Sequence, residues 1–172
     1  MRSSAFTLIE AMAAVLLVGI LAAGVALSFA APLRRARAQD AIDRVRAFDS
    51  SARAQATASG RPVLGIIDLS NGALERRDAA SSETISRQQL PDGIRIDLVR
   101  CRDRRDDVGA IEIEFSPLGL SPSYAVHLAG PECDRWIMVA GLSGSIGIVR
   151  DEAQVDAILT PPRAAGVRRD AD

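Results

Sequence analysis

Aromatic side chains are scarce in this sequence: Phe, Tyr and Trp make up 3 % of 172 residues, so any core must be built from Ile, Val, Leu and Ala. There is one histidine, His127, and there are two cysteines, Cys101 and Cys133. These shortages narrow the chemistry available. A zinc site would need Cys101, Cys133 and His127 plus an acid, with no close pair of ligands to nucleate it. His127 alternates with Val126 and Leu128, which reads as a histidine on the surface or rim of a strand, and nothing marks a nucleophile to work with it. The formal net charge is −1, so no whole-chain attraction to nucleic acid or to an anionic membrane is implied. There is no internal repeat. The glycine-rich run at residues 141–147 lacks the Lys-Ser/Thr of a phosphate loop and precedes a strand, so it reads as a hairpin turn.

The remaining acidic groupings have plain readings. Glu112 and Glu114 share one face of an alternating strand, as the solvated side of such a strand would. Asp103, Asp106 and Asp107 are interleaved with Arg102, Arg104 and Arg105, which would neutralise a calcium site. The expectation is a protein that is not an enzyme, with no catalytic residues, no metal and no cofactor.

What the sequence does have is a long apolar run near its start. A polar head, Met1-Arg2-Ser3-Ser4, leads into an apolar segment over residues 6–31 whose one charge is Glu10. About twenty such residues span a bilayer core of roughly 30 Å as a helix. A carboxylate in that setting costs roughly 2.5–3.5 kcal/mol on insertion scales and tends to mark function. Glu10 therefore needs a cationic partner, and no Lys, Arg or His lies near it in the chain. The natural candidate is an amine from another chain. Read from the residues alone, two other meanings stay open: a secretory signal peptide cut near Ser28-Phe29-Ala30, or a plain uncleaved anchor. Arg2 favours a cytoplasmic head and Arg34, Arg35 and Arg37 pull the other way, so charge bias does not set the topology.

A short basic leader, a small residue and then Phe-Thr-Leu-Ile-Glu opening an apolar helix resembles the class III signal of type IV pilins and type II secretion pseudopilins. That resemblance implies a prepilin peptidase that cuts between Ala5 and Phe6 and N-methylates Phe6. It further implies that Glu10 forms an assembly salt bridge with the terminal amine of a neighbouring subunit. The family usually has Gly before the cut, where this chain has Ala5. The implied location is the bacterial inner membrane, crossed once, with the carboxyl-terminal head in the periplasm.

Beyond Pro32 a helical pattern resumes. Ala38, Ala41, Ile42, Val45, Phe48, Ala52 and Ala56 recur at three- and four-residue spacing, and Asp40/Arg44 and Asp49/Arg53 stand at i,i+4. Gly60 and Pro62 should end the helix near Ser59. Strands are predicted over residues 63–69, 73–77, 94–98, 111–115, 124–128, 136–140 and 145–149, with a polar loop over 78–87 and a mixed-charge loop over 102–107. From residue 151 the chain turns polar and should be a mobile tail, with one short helix near residues 154–159. The expected organisation is a leader at 1–5, a membrane or fibre-core helix at 6–31, its amphipathic continuation at 32–60, a β-rich head at 61–150 and a tail at 151–172. One long helix packed on an antiparallel head is an α+β, pilin-like class.

Three details resemble the H-type minor pseudopilins of the general secretion pathway and their FimT-like relatives. They are Arg53-Ala54-Gln55-Ala56 before Ser59-Gly60-Arg61-Pro62, then Ile113-Glu114-Phe115-Ser116-Pro117-Leu118-Gly119, and the Gly141-Leu142-Ser143-Gly144 turn. The resemblance implies a structural subunit of a secretion pseudopilus whose partners are other pseudopilins, the prepilin peptidase, the inner membrane and exported cargo. Its alternative is a FimT-like minor pilin of a type IV pilus that binds DNA in uptake, here through Arg163, Arg168 and Arg169. Asp170 and Asp172 dilute that basic group and no aromatic is interleaved for base stacking, so DNA is the disfavoured partner. Outside the cytoplasm, a Cys101–Cys133 disulfide would be chemically permitted; two separate buried thiols are the plain alternative.

Overall fold

A computed structural model describes residues 8–160, with the backbone alone described for residues 24–30. The chain divides into two units, Met1–Ala36 and Arg37–Asp172. Helix α1 (Leu8–Ser59) provides the described part of the first and the opening element of the second. Pro32 lies inside this helix without ending it. At the far end Gly60 adopts φ +62°, the left-handed turn expected where a helix stops.

In the first unit the apolar side chains face solvent, from Leu8 at 82 % exposed to Leu21 at 64 %. Among the described residues no helix is long and apolar enough to cross a membrane. The expected span over residues 6–31 takes in residues 6, 7 and 24–30, whose side chains lie outside the description.

In the second unit α1 is followed by nine strands: β1 (Val63–Asp68), β2 (Ala73–Asp78), β3 (Thr84–Gln89), β4 (Arg95–Cys101), β5 (Arg105–Asp106), β6 (Ala110–Phe115), β7 (Tyr124–Gly130), β8 (Cys133–Val139) and β9 (Ile146–Val149). They form two antiparallel sheets, one in the order β3-β2-β1-β6 and one in the order β5-β4-β7-β8-β9. The stripe Ala38, Ala41, Ile42, Val45, Phe48, Ala52 and Ala56 is buried on α1. It shares one core with Val63, Ile67, Ile111, Ile113 and Phe115 from the first sheet, and with Tyr124, Val126, Leu128, Ile137 and Val139 from the second. The core is mainly aliphatic, but the few aromatics are not excluded from it: Phe48, Phe115 and Tyr124 are buried there, and small alanines on the helix let the sheets approach it.

Three expectations need correction. Residues 78–87 are not one loop, because Thr84–Gln89 is the edge strand β3. Residues 102–107 are not all loop, because Arg105–Asp106 adds a two-residue strand to β4. The segment from residue 151 is not a free tail throughout, because α2 (Glu152–Leu159) folds onto the second sheet. Asp151 caps α2 by accepting from the Ala153 amide at 3.0 Å. Val155 and Leu159 are buried with Leu98, Ala125, Trp136 and Met138 in a second, smaller core. An eight-residue helix would not hold by itself. Burial of those two side chains, at about 1.5–3 kcal/mol each, keeps it in place.

Candidate assembly site and the clamp of the head

The exposed face of α1 carries the first candidate site. Glu10 stands in the first described turn of α1. Around it Leu8, Ile9, Met12, Val15, Leu16, Leu17, Val18, Ile20 and Leu21 are all more than half exposed. An apolar surface of this extent in water marks a lipid or protein contact. The cleavage and methylation positions, Ala5 and Phe6, lie outside the described residues, as do Arg163, Arg168 and Arg169.

The second feature is a buried polar cluster centred on Arg53. The i,i+4 spacing of Asp49 and Arg53 was legible as a helix-surface pair; instead the pair faces inward. Asp49 is 1 % exposed, and its Oδ2 accepts from Arg53 Nε at 2.7 Å while its Oδ1 accepts from the Tyr124 hydroxyl at 3.1 Å. Arg53 Nη1 donates to the Gly119 carbonyl at 2.7 Å and the Gly141 carbonyl at 2.8 Å, and Nη2 donates to Ser121 Oγ at 2.8 Å. The guanidinium also lies 5.6 Å over the Phe115 ring. Burial first, then the Asp49 carboxylate, holds the Tyr124 hydroxyl well above its ordinary pKa, so it remains a donor.

Arg53 thus ties the helix to two loops, one after β6 and one after β8. A buried ion pair is tolerated only when its remaining donors are satisfied, and here loop carbonyls satisfy them. Gly141 is required at its position, since a Cβ there would sit 2.0 Å from the Ser121 carbonyl oxygen. The three segments that carried the head resemblance, around Arg53, Gly119 and Gly141, therefore meet at one guanidinium. Spacing along the chain gave no sign of this, because the partners are backbone carbonyls 66 and 88 residues away.

Both cysteines are free: Cys133 is buried and Cys101 half-buried. They pair in register with Tyr124 and Gly130, the two ends of β7. At about 3.3 Å per residue that sets them roughly 20 Å apart, far beyond the reach of a disulfide. The Cys101–Cys133 bond is therefore corrected to two thiols, whose pKa values burial pushes up. His127 is flanked by carboxylates, with Nδ1 2.6 Å from Asp97 and Nε2 3.0 Å from Asp134, and its ring leans on Trp136. Neither nitrogen is open to a metal or a substrate. No group of metal-holding side chains occurs among the described residues. Glu112 and Glu114 point outward from β6. A concavity of about 620 Å³ beside Gln55, Arg61, Asp78 and Ser81 is an open polar groove, unlike an enclosed, mostly apolar ligand pocket.

An amino-terminal helix with an exposed apolar stretch, followed by antiparallel sheets folded on the rest of that helix, defines a pilin-like protein. The sequence family described as the prokaryotic N-terminal methylation motif matches residues 1–26. Among solved structures, the minor pseudopilin EpsH from the type 2 secretion system of Vibrio cholerae is similar, with a TM-score of 0.52 and 11 % sequence identity over 66 % of this chain and 95 % of that one. No curated protein sequence matches. The chain is type IV pilin-like: it joins the N-terminal methylation signal to the fold seen in a minor pseudopilin.

Proposed function

We propose that this chain is a structural minor pseudopilin of a type II secretion pseudopilus, made in the bacterial inner membrane with its head in the periplasm. Residues 6–31 hold the unassembled subunit in the bilayer. The prepilin peptidase removes residues 1–5 and methylates the new amino terminus at Phe6. Glu10 then pairs with the terminal amine of a neighbouring subunit while the helices bundle out of lipid, and the assembled fibre supports protein export. Its partners are other pseudopilins, the peptidase and exported cargo.

The observation that carries this reading is Glu10, the one charge among exposed apolar side chains from Leu8 to Ala23. The sequence contains no lysine, so in a contact between like chains the only primary amine on offer is the terminal one. Cleavage supplies that cation where the pairing needs it. The description of EpsH as a secretion-system minor pseudopilin supports the choice of assembly. The test is Glu10→Leu in cells carrying the full secretion system. The variant should be inserted and cleaved, yet be recovered with cross-linked pseudopilins at about a tenth or less of the normal level, the loss expected of a desolvated ion pair. Normal recovery would refute the pairing mechanism.

A further inference from the structure

His127 is the single histidine of the chain and Trp136 the single tryptophan, and strands β7 and β8 place them directly opposite each other. Their ring centroids are 4.8 Å apart. The same cross-strand row continues through Leu98 on β4 and Val149 on β9. Leu98, Trp136 and Val149 belong to the smaller core that seats Val155 and Leu159 of α2, so the imidazole stands at the border of that core. The sheet brings two carboxylates to it. In β4 the register passes from Ile96–Leu128 to Leu98–His127, so Asp97 is the extra residue of a bulge, and its carboxylate lies 2.6 Å from Nδ1. From β8, Asp134 reaches Nε2 at 3.0 Å while its side chain stays 90 % exposed. Four other charged groups share this face or its helix. Arg95 on β4 stands in the next row, aligned with Ala129 and Asp134. Arg100 on β4 is held by Asp156 of α2, and Arg105 on β5 pairs with Glu152 of α2 at 3.3 Å. Arg135 pairs in register with Leu128, a residue of the main core on the other face.

Two ionised carboxylates can only accept hydrogen bonds. A neutral imidazole has one N–H and one lone pair, so it satisfies one carboxylate and turns its lone pair on the other; an imidazolium donates to both. We propose that His127 is a proton-operated clip that sets how firmly α2 is seated on the second sheet. With both nitrogens protonated, the ring ties β4 to β8 across β7 and holds Trp136 beneath α2. Imidazole changes its charge between about pH 5 and about pH 8. As pH rises through that range, the Nε2 proton passes to water. The Nδ1–H stays on Asp97, which is less exposed than Asp134. Asp134 then turns away to water and to Arg95, the ring is held on one side alone, and the seat of α2 loosens. Helix α2 is the element that responds because it has eight residues and two buried anchors, which share their core with Trp136.

The test uses the full chain in detergent micelles, where one histidine gives one set of ring signals and one tryptophan gives one emission band. Magnetic resonance of the ring nitrogens should show both protonated at about pH 5 and the Nδ1–H tautomer, selected by Asp97, at about pH 8. Trp136 emission should move to longer wavelength with the same midpoint. Exchange protection of the amides of residues 152–159, taken relative to the intrinsic rate at each pH, should fall about tenfold, the scale of one lost hydrogen bond to a charged group. Asp134→Asn replaces an exposed carboxylate with an amide that donates to the bare Nε2, so the ring should still titrate while both responses lose most of their amplitude. His127→Phe keeps a ring against Trp136 but carries no proton, and both responses should vanish. An Nε2–H tautomer at about pH 8, or a titrating ring that leaves emission and protection unmoved, would overturn the proposal. So would responses of unaltered size in either variant.

Discussion

At the scale of single residues, Arg53 decides more than any other side chain in the head. Arg53→Ala removes the hydrogen bonds to Asp49, Gly119, Gly141 and Ser121 together with the contact over the Phe115 ring, and leaves the Asp49 carboxylate buried without a cation. The expected loss is about 3–5 kcal/mol in urea unfolding of residues 37–172. Tyr124→Phe removes one hydrogen bond to the same carboxylate and should cost about 1–2 kcal/mol. Combining Asp49→Ala with Arg53→Ala should cost less than the sum of the two, because the second change no longer strands a charge. Additive losses would mean that the pair is not coupled as described. Gly65 gives a packing counterpart: a Cβ there would lie 2.7 Å from both the Phe48 and the Phe115 rings. Gly65→Ala should therefore destabilise the head by about 1–3 kcal/mol through overpacking. The cysteines make a chemical prediction. Protein purified without reductant should take up two maleimides after denaturation and react slowly when folded, since burial suppresses both thiolates. A mass showing an intramolecular disulfide would contradict the register of β4, β7 and β8.

At the scale of elements, α1 was readable because its burial is periodic. Ala38, Ala41/Ile42, Val45, Phe48, Ala52 and Ala56 repeat the helical period without a break, and the structure buries each of them. Strand β6 was readable for the same reason at period two, with Ile111, Ile113 and Phe115 inward and Glu112 and Glu114 outward. Strand β3, Thr-Ile-Ser-Arg-Gln-Gln, was not, because an edge strand with little buried surface carries almost no hydrophobic pattern. Its ladder to β2, backed by the Arg87–Glu75 ion pair at 3.2 Å, holds it instead. Helix α2 was only partly legible: its anchors Val155 and Leu159 lie at i,i+4, but the sheet face they cover cannot be seen in the local sequence. Arg100, reaching Asp156 at 3.0 Å through Nε, ties its middle to β4. Val155→Asp should release α2 while leaving the main core intact. Trp136 would then gain solvent, with a red-shifted emission and faster amide exchange confined to residues 152–159. Global unfolding at the same denaturant concentration as the unaltered head would be retained; loss of the whole transition would show that α2 is part of the main core.

At the scale of the whole molecule, the chain divides its tasks between two units. The second unit, Arg37–Asp172, holds the described core and the Arg53 clamp. The first unit has the opposite character, an exposed apolar helix with one carboxylate, and it makes physical sense only in lipid or against other helices. That contrast was visible in the sequence as the abrupt rise in charge after Pro32. The Arg53 clamp, which unites three distant segments of the head, was not visible because its acceptors are carbonyls that every residue possesses. Assembly as proposed requires the first unit to be processed as a pilin signal despite Ala5 before the cut. The direct measurement is amino-terminal sequencing with mass spectrometry of the protein recovered from membranes of cells containing the prepilin peptidase. The expected result of pilin-type processing is a chain that begins at N-methylated Phe6. A chain beginning at Met1, or at Ala31 after an ordinary signal-peptide cut, would contradict it.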